Sequence, residues 1–206
     1  IMRWVPFTID EQTLRNRIKN KMIRPTTIPQ TLDELQIEHA ISREALRLAL
    51  IHHKSLATAL KGVQQERTIS DVFEQQQSGK TLIDMLKLDL IVGSGGILSH
   101  APRRVQSMLM MVDAYEPLGV TRLSVDSIFM MPHLGVLSTI NEKAATDVFI
   151  RDCMVYLGTC VAPIGQGKDG ERCADYAITF PDGRVDQSQL SFGDLRLVPL
   201  ASDQKA

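Results

Sequence analysis

The chain has 206 residues, 44% of them hydrophobic and 23% charged, with a formal net charge of −1. That is the balance of a globular protein able to bury a core as one large or two small domains. It offers no basic excess for counterion-release binding to nucleic acid, and no apolar run reaches the roughly 18 residues of a membrane span.

Cys153, Cys160 and Cys173 are odd in number and form no CxxC pair, which argues against a disulfide framework or a zinc ribbon and favours reduced thiols. No signal peptide is evident at the N-terminus, so the expected compartment is the cytoplasm. Ile1-Met2-Arg3 runs straight into WVPFTIDEQTL, which reads as folded sequence, and a missing N-terminal portion is expected.

Residues 9 to about 86 read as mainly helical. Thr31-Leu-Asp-Glu34 has the spacing of a capping box. Leu35, Leu46, Leu50, Leu56 and Leu60 then recur at helical spacing with Ala45, Ala49, Ala57 and Ala59 between them, a run that predicts two helices. Gly62 is expected to end the second, and Gly79 to mark a break before a further short helix at Thr81.

From Leu86 the period becomes two, with Leu86, Leu88, Leu90 and Val92 on one face, which predicts a strand feeding the glycine-rich stretch Gly93-Ser94-Gly95-Gly96. Pro102 suits the first turn of the next helix, whose inward stripe is expected to be Val105, Met108, Leu109 and Val112. A second strand over Thr121–Asp126 completes a strand–helix–strand unit of the kind that gives a parallel pair. Further on, Asp182-Gly183 between two alternating runs predicts a hairpin. The coarse class is α/β, with a helical part over 1–85, an α/β part over 86–165 and a β-rich part over 166–206.

Glycines at a strand end allow positive φ and close approach of a ligand or another backbone, so GSGG is either a ligand-contacting turn or a structural one. It matches neither GxGxxG nor GxxxxGK[ST]. Asp113 and Asp126 offer carboxylates for a ligand hydroxyl or a hydrated magnesium ion. Asp126 has the better place, at a strand's carboxyl end, though a turn or helix cap explains it as well. His39, His52, His53, His100 and His133 form no metal-ligand pattern, and Ser107 and Ser124 lack the context of a serine nucleophile. The methionines Met108, Met110, Met111, Met130 and Met131 read as core, with an adaptable interface as the rival.

Taken in order, REALRLAL, LDLIVGSGGILSHAPRR, SVDSIFMMPHLGVLS and DCMVYLGTCVAP resemble the MutL family of accessory proteins of adenosylcobalamin-dependent glutamate mutase, from about Trp4 to Leu200. The mismatch-repair protein of the same short name is unrelated. The resemblance implies a partial RNase H-like lobe of an actin-like ATPase, related to sugar kinases and heat-shock chaperones. In that fold Gly93, Ser94, Gly95 and Gly96 pack against adenosine, and the helix after Pro132, containing Gly135, is an interlobe connecting helix. The phosphate motifs would lie N-terminal to Ile1, with ATP and magnesium as cofactors of the longer protein and no catalysis by this chain alone.

The resemblance implies an ATP-dependent reactivating chaperone whose partner is a subunit of a cobalamin-dependent mutase. A small-molecule kinase of the same superfamily, with Asp126 or an aspartate absent from this chain as base, and a non-catalytic interaction module are the alternatives. No nucleic-acid or membrane partner is expected.

Overall fold

A computed structural model describes residues 1–59 and 83–200. The N-terminal part is two helices, α1 (Glu11–Ile23) and α2 (Leu32–Ala59). Asp10 caps α1 by accepting from Thr13 N at 2.8 Å. The expected capping box at α2 is present: Glu34 N donates to Thr31 Oγ1 and Thr31 N to Glu34 Oε2, each at 3.3 Å, while Gln30 N donates to Glu34 Oε2 at 2.7 Å.

One 28-residue helix stands where two were predicted. Its sequence carries no glycine or proline between Leu32 and Ala59, so nothing in the backbone interrupts it. Ile37, His39, Ala40 and Ala57 are buried along it, whereas Leu56, one of the apolar residues at helical spacing, is exposed. Leu60, Gly62, Gly79 and Thr81 lie outside the described residues.

The predicted strand begins later than the alternation implied. Met85–Lys87 form a 3-10 turn, with Asp84 accepting from Leu86 N at 3.1 Å, and β1 covers only Leu90–Gly93. A local side-chain acceptor here offers the backbone a turn in competition with the extended ladder. The turn leaves Leu86 half exposed and buries Met85.

After β1 come a single-turn helix α3 (Gly96–Ser99), α4 (Arg104–Tyr115) and β2 (Gly119–Asp126), and β1 pairs with β2 in parallel as expected. Two further helices, α5 (Met131–Ser138) and α6 (Glu142–Val148), lead through a π turn into β3 (Met154–Ala162), antiparallel to β2. The sheet order is β1-β2-β3. The Asp-Gly hairpin is present as β4 (Arg172–Thr179) and β5 (Val185–Ser191), a separate two-stranded sheet.

The core lies between α4 and the three-stranded sheet: Leu98, Met110, Met111, Leu123 and Val125 are at most 1% exposed. The methionines of α4 are therefore core. The inward face is Ser107, Met110, Met111 and Ala114; of the expected stripe, Met108 and Val112 pack half-buried against the core, whereas Val105 is exposed. Ser107 can face inward because its hydroxyl donates to Leu98 O at 2.6 Å, and small Ser107 and Ala114 let the helix approach closely. Pro102 precedes α4 instead of opening it.

Helix α2 packs on α4, with Leu46 against the core cluster and Arg43 Nε donating to Asp113 Oδ2 at 2.5 Å. Asp113, a candidate ligand group in the sequence, is thus occupied in joining two helices. No described helix is long and apolar enough to cross a membrane.

Candidate functional site

The carboxyl ends of β1 and β2 lie side by side, with Gly93 opposite Val125. This brings the glycine turn and Asp126 to one edge of the sheet, where open α/β folds collect ligands.

The glycines of the turn do different things. A Cβ on Gly93 would meet Met111 Sδ at 2.8 Å and Leu98 Cδ1 at 3.0 Å, so this residue is glycine because the core presses on it. Gly95 has φ +108° and ψ 152°, a conformation essentially reserved for glycine. Gly96 opens α3, and a Cβ there, as at Gly95, would meet nothing within 4 Å. Bare backbone therefore faces open space at Gly95 and Gly96. Ser94 Oγ is enclosed and has no hydrogen-bond partner.

The turn is held from behind. Ser99 Oγ donates to the backbone carbonyl of Asp126 at 2.5 Å, linking α3 to the end of β2. Arg104 Nη1 donates to Ser99 O at 2.7 Å and closes the C-terminus of the short helix.

Asp126 is fully buried. Its Oδ2 accepts from Met131 N at 2.7 Å and its Oδ1 from Ile128 N at 3.4 Å, so the carboxylate fastens the turn that starts α5. Burial pushes its carboxyl up, but the N–H groups of Met131, Met130, Ile128 and Phe129 together hold it below the usual carboxylate range. Between these anchors Phe129 takes a left-handed φ of +59°. The fixed negative charge also helps burial to push the neighbouring Cys153 thiol up.

The other sequence candidates do not join this edge. His52, His53, His100 and His133 are exposed, and His39 lies buried in α2. Burial, with Arg43 nearby, lowers the pKa of His39. Among the described residues no three His, Cys, Asp or Glu side chains are placed to hold a metal ion. The three cysteines are free thiols.

Sequence reasoning missed a polar cluster where Arg3 and Trp4 meet α2. Glu44 on α2 accepts from Trp4 Nε1 at 2.8 Å, Arg3 Nη2 at 3.0 Å and Arg47 Nη2 at 2.6 Å. The hydrogen bonds from Arg47 and Trp4 are the main reason its carboxyl falls to about 2. The contact joins residues 40 positions apart, so no local pattern announces it.

Helix α1 carries another overlooked feature. Arg15, Arg17, Lys19 and Lys21 sit at alternate positions and Arg24 follows, a local concentration of cations that the net charge of −1 conceals.

Comparison with known proteins returned no match among curated proteins and none among solved structures. A family model described as "MutL protein" matches residues 1–153, from the N-terminal turn through the glycine edge to the start of β3. The match stops short of β3 itself and of the β4–β5 hairpin, both of which the sequence resemblance had included. Over the matched residues the chain belongs to the MutL family, the accessory proteins of glutamate mutase.

Proposed function

We propose that this chain forms the adenosine-facing part of a cytoplasmic, ATP-dependent reactivating chaperone for an adenosylcobalamin-dependent mutase, built on an actin-like ATPase fold. Family membership supports the accessory role. The observation that carries the nucleotide reading is the glycine edge: bare backbone at Gly95 and Gly96 facing open space, beside the unpartnered Ser94 hydroxyl, at the carboxyl end of a parallel strand.

The residues present fit one half of the nucleotide. A purine or ribose can rest flat against the Cβ-free backbone at Gly95 and Gly96. They do not fit the other half. Asp126 has its carboxylate engaged by backbone N–H groups, and no described cluster suits magnesium. The part proposed for this chain is therefore the adenosine half of the nucleotide and not its phosphates or magnesium ion. ATP, when bound, would supply hydrolysis energy for a change in lobe angle that releases damaged cobalamin from the mutase, and the backbone at Gly95 and Gly96 would hold its adenosine.

The same observation disfavours the kinase reading with Asp126 as base. A buried carboxylate held below its usual pKa and gripped by backbone donors is badly placed to take a proton from a substrate hydroxyl. Titration with a fluorescent ATP analogue, with and without magnesium, tests the proposal. Saturable binding that disappears in Gly96→Gln, a change the backbone tolerates, supports the adenosine site. Absence of binding both by this chain and by a longer form carrying the expected N-terminal portion overturns it.

A further inference from the structure

The cleft between α1 and α2 has no role in the nucleotide reading. Leu14 is the only buried residue of the 13 in α1. Such a helix gains little from packing on its own fold, although packing is what normally stabilises helices of this length. Besides Leu14, a polar tie holds it: Lys21 Nζ bonds Glu38 of α2 and the carbonyl of Thr27 in the connecting loop.

The cleft is an open groove of about 770 Å³ with Ile37 and Ile41 among its lining residues. At its mouth Ile23 and Ile28 are 77% and 76% exposed, a large apolar surface to leave in water beside the loop joining the helices. The rim carries Arg17 and Arg24, and neither forms an ion pair among the described residues.

We infer that this groove docks an acidic amphipathic segment of a partner protein, its apolar side chains entering between Ile28 and Ile37 and its carboxylates meeting Arg17 and Arg24. Glu34 and Glu38 also line the groove, but Glu34 is engaged in capping α2 and Glu38 is paired with Lys21, so the charges left for a partner are those of Arg17 and Arg24, which suit the acidic face of such a segment while the isoleucines suit its apolar stripe. A lipid surface is a poorer fit, because it cannot enter a groove whose floor residue Ile37 is 4% exposed. The inference does not depend on nucleotide binding.

The test uses the full chain and a fluorescein-labelled amphipathic peptide with leucine at i, i+3, i+4 and i+7 and glutamate elsewhere, measured by anisotropy. A twin peptide carries lysine for every glutamate, and vesicles rich in phosphatidylserine compete. The expected result is preferential binding of the acidic peptide, weakened by salt and by roughly tenfold or more in Arg17→Glu/Arg24→Glu. Ile28→Asp should weaken it as well, and Lys143→Glu, on α6, should leave it unchanged. All four positions are exposed, so circular dichroism should show an intact fold in each variant. Failure of the acidic peptide to bind, equal binding of the twin, indifference to the Arg17/Arg24 reversal, or displacement of the peptide by vesicles overturns the inference.

Discussion

Among the described residues three glycines combine a positive φ with open space where a Cβ would go, Gly95 at +108°, Gly170 at +82° and Gly183 at +82°, and the first and last of these make the sharpest contrast. The turn at Gly183 is self-contained. Gly183 N donates to Phe180 O and Phe180 N to Arg184 O, and Asp182 accepts from Arg184 N at 3.0 Å, all within one exposed hairpin. The turn at Gly95 depends on the rest of the fold, with Gly93 pressed on Met111 and Leu98, Ser99 bonded to Asp126 O, and a neighbouring strand end alongside. A positive φ says how the chain bends; what stands behind the bend separates a hairpin from a platform.

The largest contrast should come from the two turn carboxylates. Asp126→Ala leaves the Met131 and Ile128 N–H groups without their acceptor in a buried setting, and about 3 kcal/mol of stability should be lost in denaturant unfolding. The exposed Asp182→Ala should cost well under half of that. Because the folded-state pKa of Asp126 lies below its unfolded value, its contribution is complete above the unfolded pKa and disappears as pH falls through the folded one. Asp126→Asn should flatten that part of the acid limb, and an unchanged limb would remove Asp126 from the account.

Gly93→Val comes next, at about 2 kcal/mol, because the added carbons overpack Met111 and Leu98. A cost near zero would mean that α4 shifts freely. Below that stand the paired substitutions Gly95→Ala, at about 2 kcal/mol or slightly less, and Gly183→Ala, at about 1 kcal/mol. Only the first should also impair nucleotide binding. The smallest stability effect belongs to Gly96→Gln, which should leave the melting temperature nearly unchanged while removing nucleotide binding. Retained binding there would make the two turns equivalent and dissolve the comparison.

Several elements were legible because their signals are local. Thr31 and Glu34 lie three residues apart and cap α2 as their spacing implies; Asp182-Gly183 makes its hairpin; the alternation before GSGG and over Thr121–Asp126 gives the parallel pair. Signals failed where a side chain redirected the backbone or where packing outranked hydrophobicity. Asp84 turned Met85–Lys87 out of the strand, and Ser107 reached the inner face of α4 because a carbonyl of α3 accepts its hydroxyl.

At the candidate site the glycines were visible, but their division of labour was not. Gly93 answers to Met111, eighteen positions on, and Gly95 to a backbone angle. Asp126 was placed correctly at a strand end, yet its two readings differ only in where its oxygens point, which spacing does not encode. The cations of α1 escaped notice because alternate spacing spreads them around a helix instead of gathering them in a run.

Trp4 is the chain's single tryptophan, and its indole lies against Arg3, 4.6 Å from guanidinium carbon to ring centroid, while donating to Glu44 on α2. The chain therefore carries one indole fluorophore beside its three tyrosines, seated on α2 and remote in sequence from the glycine edge. Its emission reports the seating of the N-terminal turn on α2, giving an optical gauge of helical docking that needs no label and is read separately from any ligand at the sheet.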